Sequence, residues 1–269
     1  MAASAVGEGR SAPNAWTVLP IAVAGLALVA QIFGPSVAVT LGLAFFLLAT
    51  MHGAGDDQDG ALKPFGLLSG LAYVAAGLAI AALFVSLPLA GLTLFLALSG
   101  WHFARSLDGG LLRGMAYAAL ATGGSMLFRY DETAAIFGSL TGGAIPTAWL
   151  AVWAGIGAVG VGATLVSLMR RPFDEVLWLT LAAVALLHPV LAVGTAFLVG
   201  HAIPIQREQS ARYGWRTVLL AQGPTTAIAL VALTVLTALW RADLVPLPIL
   251  AALAFGFATP HMLAERLER

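Results

Sequence analysis

Histidine and aspartate are the side chains here with the greatest capacity for chemistry, and they are unevenly placed. The stretch "ATMHGAGDDQDG" (49–60) closes an apolar run with one histidine and three aspartates inside eight residues. Four further histidines follow, His102, His188, His201 and His261. Neutral imidazole is a ligand for iron, copper, nickel and zinc, and a neighbouring carboxylate can accept its second ring N–H and orient it. Asp56 and Asp57 are placed for that role beside His52, whereas Asp59 reads as part of a solvated loop. Cysteine is absent, which removes disulfides, thiolate catalysis and thiolate-bound zinc or iron–sulfur clusters.

The elements that must position these groups are apolar. Of 269 residues, 60% are hydrophobic and 10% charged, against about a quarter charged in a soluble domain. Apolar runs occupy 16–33, 37–52, 64–86, 88–104, 111–128, 147–169, 175–187, 189–205, 215–239 and 246–264, and lipid is the solvent such runs require. The fold class expected is all-α, a polytopic transmembrane helical bundle of about eight to ten membrane segments. Residues 1–15 form a polar tail expected to be disordered and not to precede a cleaved signal, and 16–269 form one transmembrane helical domain. "GPS" (34–36) and "LP" (87–88) read as tight turns between paired helices. The zero net charge argues against nucleic acid as a partner and leaves membrane lipid as the surroundings.

Segment 175–204 is one long helix or two short ones meeting at His188-Pro189. Basic residues arbitrate, because Lys and Arg favour cytoplasmic loops. With the break, eleven of the thirteen fall on the N-terminal side; without it, the split is seven to six. The broken version puts both termini in the cytoplasm and makes segment 175–187 short for a full span, tilted or re-entrant. Segment 133–142 is a further candidate to dip into the interface.

This topology uses Lys and Arg alone, yet it collects four histidines at one depth. His52, His102, His201 and His261 fall near the cytoplasmic ends of the second, fourth, eighth and tenth segments, and His188 falls at the opposite face. A lone histidine there is an interfacial side chain reaching for headgroups. Four at one level, on separate helices, point instead to a shared metal. Trp101, Phe103, Phe197 and Phe255 lie near them in sequence and are candidates to line a substrate, though each is also an ordinary core or lipid-facing aromatic.

At these residues the chain resembles a known family. "MHGAGDD" is similar to the PHGAxDH box of the bacterial Brp/Blh family of membrane β-carotene dioxygenases, and "LSGWHFARSLD" (98–108) to its SAxHFGxxD box. "FLVGHAIPIQRE" (197–208) resembles its WHSxxH box and "ATPHMLAER" (258–266) its TxPHM ending. The four boxes run in family order from residue 50 to 266.

The resemblance implies a bacterial inner-membrane enzyme that holds Fe(II) with histidines and cleaves β-carotene centrally with O2, giving two retinals. It matches His52, His102 and His201 to ligand positions and His261 to the histidine of the last box. Two departures bear on it. Ile205 stands where the family carries a second ligand histidine in its third box, and Asp57 replaces the last histidine of the first. The site the resemblance implies therefore takes His261 as fourth ligand, uses three histidines, or is lost.

Other classes remain open on the sequence. A catalytically inactive carotenoid-binding paralogue keeps the fold without the chemistry, and a haem-bearing electron-transfer protein uses paired histidines as axial ligands. A transporter is compatible with the helix-breaking Gly223-Pro224 and His188-Pro189. A retinal-binding rhodopsin needs a lysine within a helix, and the one lysine, Lys63, stands beside Pro64 at a segment start.

Overall fold

The computed structural model describes residues 15–53, 58–59, 63–64 and 66–267, with side chains over 16–49, 66–260 and 262. Each apolar run is helical over most of its described length. In chain order the helices are α1 (Ala15–Ile32), α2 (Pro35–Gly53), α3 (Leu67–Ser86), α4 (Pro88–Phe103), α5 (Leu111–Phe128), α6 (Tyr130–Thr141), α7 (Thr147–Arg170), α8 (Glu175–Leu186) and α9 (Pro189–Phe197). A wide π turn over Leu198–Ala202 joins α9 to α10 (Ile203–Tyr213), followed by α11 (Trp215–Arg241) and α12 (Leu247–Leu267). The strand pairing among the described residues is a two-residue ladder, Gln58–Asp59 against Lys63–Pro64, within the segment after α2. Lys63 therefore lies on a strand.

Four helical stretches are long and apolar enough to cross a membrane: α3, α7, the run from Pro189 to Tyr213, and α11. Their surroundings fit that role. Met169 on α7 and Ile228 on α11 are 86% and 71% exposed, a cost in water but not in lipid. Along α11 the buried positions are Val218, Gln222 and Thr226, a single stripe at helical spacing against the protein with the remaining face turned outward.

Helix α5 is the inner post of the bundle. Eleven of its eighteen residues are buried, so partners cover it on nearly every side, α7 and α8 among them. Lipid offers no hydrophobic gain for joining apolar helices, so close approach of small residues carries the packing. At Gly123 a Cβ would stand 2.5 Å from the backbone nitrogen of Gly157, so α5 and α7 meet backbone to backbone.

The break at His188-Pro189 is present. Helix α8 ends at Leu186, and Pro189 opens α9, where its missing N–H costs no hydrogen bond. Arg129 donates to the Leu186 carbonyl at 2.8 Å, and Gln31 Oε1 accepts from the His188 backbone N–H at 2.6 Å. Two of the backbone groups freed at the joint are thus paired. Residues 133–141 fall in α6 and Gly142 caps its C-terminus; the first turn carries Asp131 and Glu132, favourable at a helix N-terminus.

Candidate metal centre

Pro204 shapes the backbone that carries His201. It has no N–H to return to Gly200, and its ring crowds that carbonyl. The chain widens into the π turn Leu198–Ala202 immediately before it, with the Ile203 N–H bonded to the Leu198 carbonyl. Such bulges re-aim side chains and occur often at functional sites. Tyr117, fully buried on α5, braces the turn: its hydroxyl donates to the Ala196 carbonyl at 2.9 Å and its ring fills the space beside Gly200.

His102 comes to meet it from the last turn of α4. The two rings are 1% and 0% exposed, and their Nε2 atoms stand 2.9 Å apart. That spacing has two chemical readings. One imidazole donates an N–H to the other, or both aim lone pairs at a common cation. Two ligands at right angles, with metal–nitrogen bonds of about 2.0–2.1 Å, place their nitrogens about 2.9 Å apart. The same pair as axial ligands on opposite faces of a haem would need about 4 Å between nitrogens. The geometry favours neighbouring ligands on one ion over a haem clamp.

Behind the rings lies an aromatic wall. Phe197 stacks on His201 with centroids 5.4 Å apart and planes 16° apart, and Phe103 lies 5.3 Å from the same ring. Phe46 of α2 extends the wall, 5.9 Å from Phe197. Trp101 turns the other way, half exposed under the Arg105 guanidinium at 5.0 Å. Phe255 belongs to a separate cluster, stacked on Phe95 at 4.1 Å and tilted against Phe84. Of the four aromatics singled out by sequence, the structure gathers Phe103 and Phe197 at the histidines and places Trp101 and Phe255 elsewhere.

The side chains of His52 and His261 lie outside the described residues, as do Asp56 and Asp57. The helices that carry the two histidines are described, and their register can be followed. On α2, Gly42 packs backbone to backbone against Val190, Leu191 and Gly194 of α9, and Phe46 faces Phe197 one turn on. Ala49 then joins the cluster of Leu198, Val199, Ala202 and Ile203. The two helices run in the same direction, which carries the last turn of α2 to the level of the π turn. On α12, Phe255 faces Phe95 and Met262 takes the Ser99 hydroxyl at 3.7 Å. Helix α12 therefore follows α4 toward His102, and residue 261 precedes Met262 directly. Among the described residues no third His, Asp or Glu side chain joins the pair.

His188 has a different task. As N-cap of α9 its Nδ1 accepts the Val190 N–H at 3.3 Å. Burial pushes its pKa below the usual histidine value, with Arg129 acting in the same direction and Glu132 opposing. An accepting Nδ1 is an unprotonated one, so the depressed value and the cap agree.

A residue not singled out from the sequence completes the geometry. Ser106, in the loop after α4, lies 2.6 Å from His201 Nδ1 and donates to the His102 carbonyl at 3.0 Å. Its loop is tied down. Arg113 donates to the Asp108 carbonyl at 2.7 Å and grips Asp174 through Nη2 at 2.9 Å and through Nε. Asp174 in turn caps α8 by accepting the Leu177 N–H at 3.3 Å. Burial alone would raise the Asp174 pKa, but the Arg113 guanidinium and these hydrogen bonds overcome it and hold the carboxyl below its usual range.

The donors present fit a first-row divalent metal: two buried imidazoles with converging nitrogens, one with its outer nitrogen hydrogen-bonded. No family model, curated protein or solved structure matches this sequence.

Proposed function

We propose that this protein is a carotenoid-cleaving dioxygenase, using Fe(II) held by His102 and His201 with further ligands from His52 and His261. The observation that carries the reading is the buried Nε2–Nε2 approach of 2.9 Å between histidines on separate helices. The apolar bundle supports it as well, since β-carotene dissolves only in a membrane interior. In the proposed topology the ten apolar segments cross or enter the bacterial inner membrane with both termini cytoplasmic, and all four ligands lie toward the cytoplasmic face.

The reaction takes one β-carotene and one O2 to two retinals, with both oxygen atoms retained in the products. A ferrous ion supplies the redox activation that dioxygen needs to react with a hydrocarbon. The chain's own residues supply the rest. His102 and His201 are neutral donors that leave the ion its positive charge. Phe103, Phe197 and Phe46 exclude water and offer flat apolar surface to a polyene. No basic clamp is needed for an uncharged substrate. Asp56 and Asp57 follow His52 closely enough in sequence to hydrogen-bond a ligand ring.

The experiment is expression in β-carotene-producing cells, with retinal and iron measured for the wild type and His102→Ala. Wild-type protein should contain iron and form retinal, and the variant should lose both. Purified wild type that retains carotene but forms no retinal would identify the inactive paralogue. Wild type with neither iron nor carotene would overturn the proposal.

A further inference from the structure

We propose that Ser106 is a positioning residue: it holds His201 in the Nδ1–H tautomer and so turns the Nε2 lone pair toward His102. This inference rests on the reading of the histidine pair as metal ligands. It concerns the residue that prepares one of them.

The assignment follows from counting protons. A serine hydroxyl has one hydrogen to give and two lone pairs to receive. A backbone carbonyl can only accept, so the 3.0 Å bond from Ser106 to the His102 carbonyl uses that hydrogen. Serine hydroxyls commonly bond back to the carbonyl four residues earlier. With that hydrogen given to the carbonyl, His201 Nδ1, 2.6 Å from the same oxygen, is the donor in their contact; a hydroxyl turned toward Nδ1 would reverse the tautomer, and the experiment below separates the two. A neutral imidazole carries one N–H, so His201 Nε2 is left with a lone pair, and it faces His102 Nε2 at 2.9 Å. Ser106 thereby ties both histidines together, one through its ring and the other through its backbone.

The loop geometry serves this contact. The Arg105 and Ser106 N–H groups bond to the carbonyls of His102 and Phe103, a tight turn that folds residue 106 back under α4. Leu107 is buried in the cluster around Phe103 and Tyr117, and Arg113 holds the Asp108 carbonyl. Three consecutive residues are each anchored. A hydroxyl in this place fixes a proton without adding charge, whereas a carboxylate would offset part of the metal's charge.

The test uses full-length protein in lipid bilayers with 15N-labelled histidine. In metal-free protein the ring-nitrogen signals read the tautomer directly, and His201 is assigned by its loss in His201→Gln. The wild type should show Nδ1–H at His201. Ser106→Ala should show a mixture or Nε2–H, and Ser106→Thr, which keeps the hydroxyl, should restore the wild-type signal. Cobalt(II) titration, read by its absorbance bands, should weaken about 10–100-fold in Ser106→Ala and recover in Ser106→Thr. An Nε2–H signal in the wild type would overturn the assignment, even if Ser106→Ala fails to fold. So would an unchanged tautomer with unchanged cobalt affinity in Ser106→Ala, and that result would leave the metal reading standing. A tautomer shift in Ser106→Ala without cobalt binding in the wild type would uphold Ser106 and sink the metal reading.

Discussion

His102 and His201, ninety-nine residues apart in sequence, bring their Nε2 atoms within 2.9 Å while buried inside an apolar bundle. Neither ring has solvent to turn to. Removing one partner deletes this buried contact and opens a cavity beside the other ring. His102→Ala and His201→Ala should each lose bound iron and retinal formation together. Each should also melt at a lower temperature in detergent. His102→Ala protein with wild-type iron content would end the assignment of this pair as ligands.

Much of this was legible in the sequence, for identifiable reasons. The helices follow from apolar length, and the break at His188-Pro189 follows from the missing proline N–H and the distribution of basic residues. The approach of His102 to His201 was accessible because both lie at one predicted depth. Ser106 was not. Nothing in its type marks it, and its role depends on a tight turn after α4 that no hydrophobic periodicity encodes. The one available cue was its position four residues after a histidine. Trp101 and Phe103 show the same limit in another form. Two residues apart on a helix, they point to different sides, and sequence proximity alone grouped them together. The π turn has a physical signal in Pro204, but one that a kink would satisfy equally well.

The Arg113–Asp174 pair should govern stability at acid pH. Asp174 has its pKa lowered on folding, so it binds a proton more readily in the unfolded chain than in the folded one. Its contribution is present above the unfolded carboxylate value and is lost as pH falls through the folded one. Asp174→Asn should flatten the acid limb of the melting-temperature profile below about pH 4. At neutral pH the same variant should melt at a lower temperature than wild type, since it leaves the Arg113 guanidinium without its carboxylate. An acid limb identical to wild type would show that the pair does not carry the dependence.

His188 should matter for folding and not for metal. Its pKa is likewise lowered, so its contribution is complete above the unfolded histidine value and disappears as pH falls through the folded one. His188→Ala removes the acceptor for the Val190 N–H and should destabilise by about 0.5–2 kcal/mol. Iron content per folded molecule should stay at the wild-type level. A folded His188→Ala protein without iron would place His188 in the site and break the four-histidine assignment.

The proposed topology has a direct readout. A reporter fused after Arg269 should be active in the cytoplasm. One inserted within 130–145, across α6 and its following turn, should read external. A cytoplasmic signal from that insertion would invert the later segments and separate the histidines by depth.

The decisive comparison is between His52 and His261, whose helices approach the pair from different sides. Gly42, Phe46 and Ala49 of α2 pack in step with Leu191, Phe197 and the π turn, so His52, one turn beyond Ala49, is carried to the level of His201. Phe255 and Met262 of α12 pack in step with Phe95 and Ser99 of α4, which sets residue 261 within a turn of His102. Each backbone is thus followed to within about a turn of one of the two described histidines. If both side chains complete the site, His52→Ala and His261→Ala should each lower iron affinity as severely as His102→Ala does. If only three histidines bind, one of the two variants should retain iron and activity. Ile205 makes His261 the informative member, since α10 offers no imidazole at that position. Ile205→His tests the same point from the other side. In a His261→Ala background it should restore iron binding if the site lacks one imidazole at that level. Full iron and full retinal formation in His261→Ala alone would leave His52, His102 and His201 as the complete ligand set.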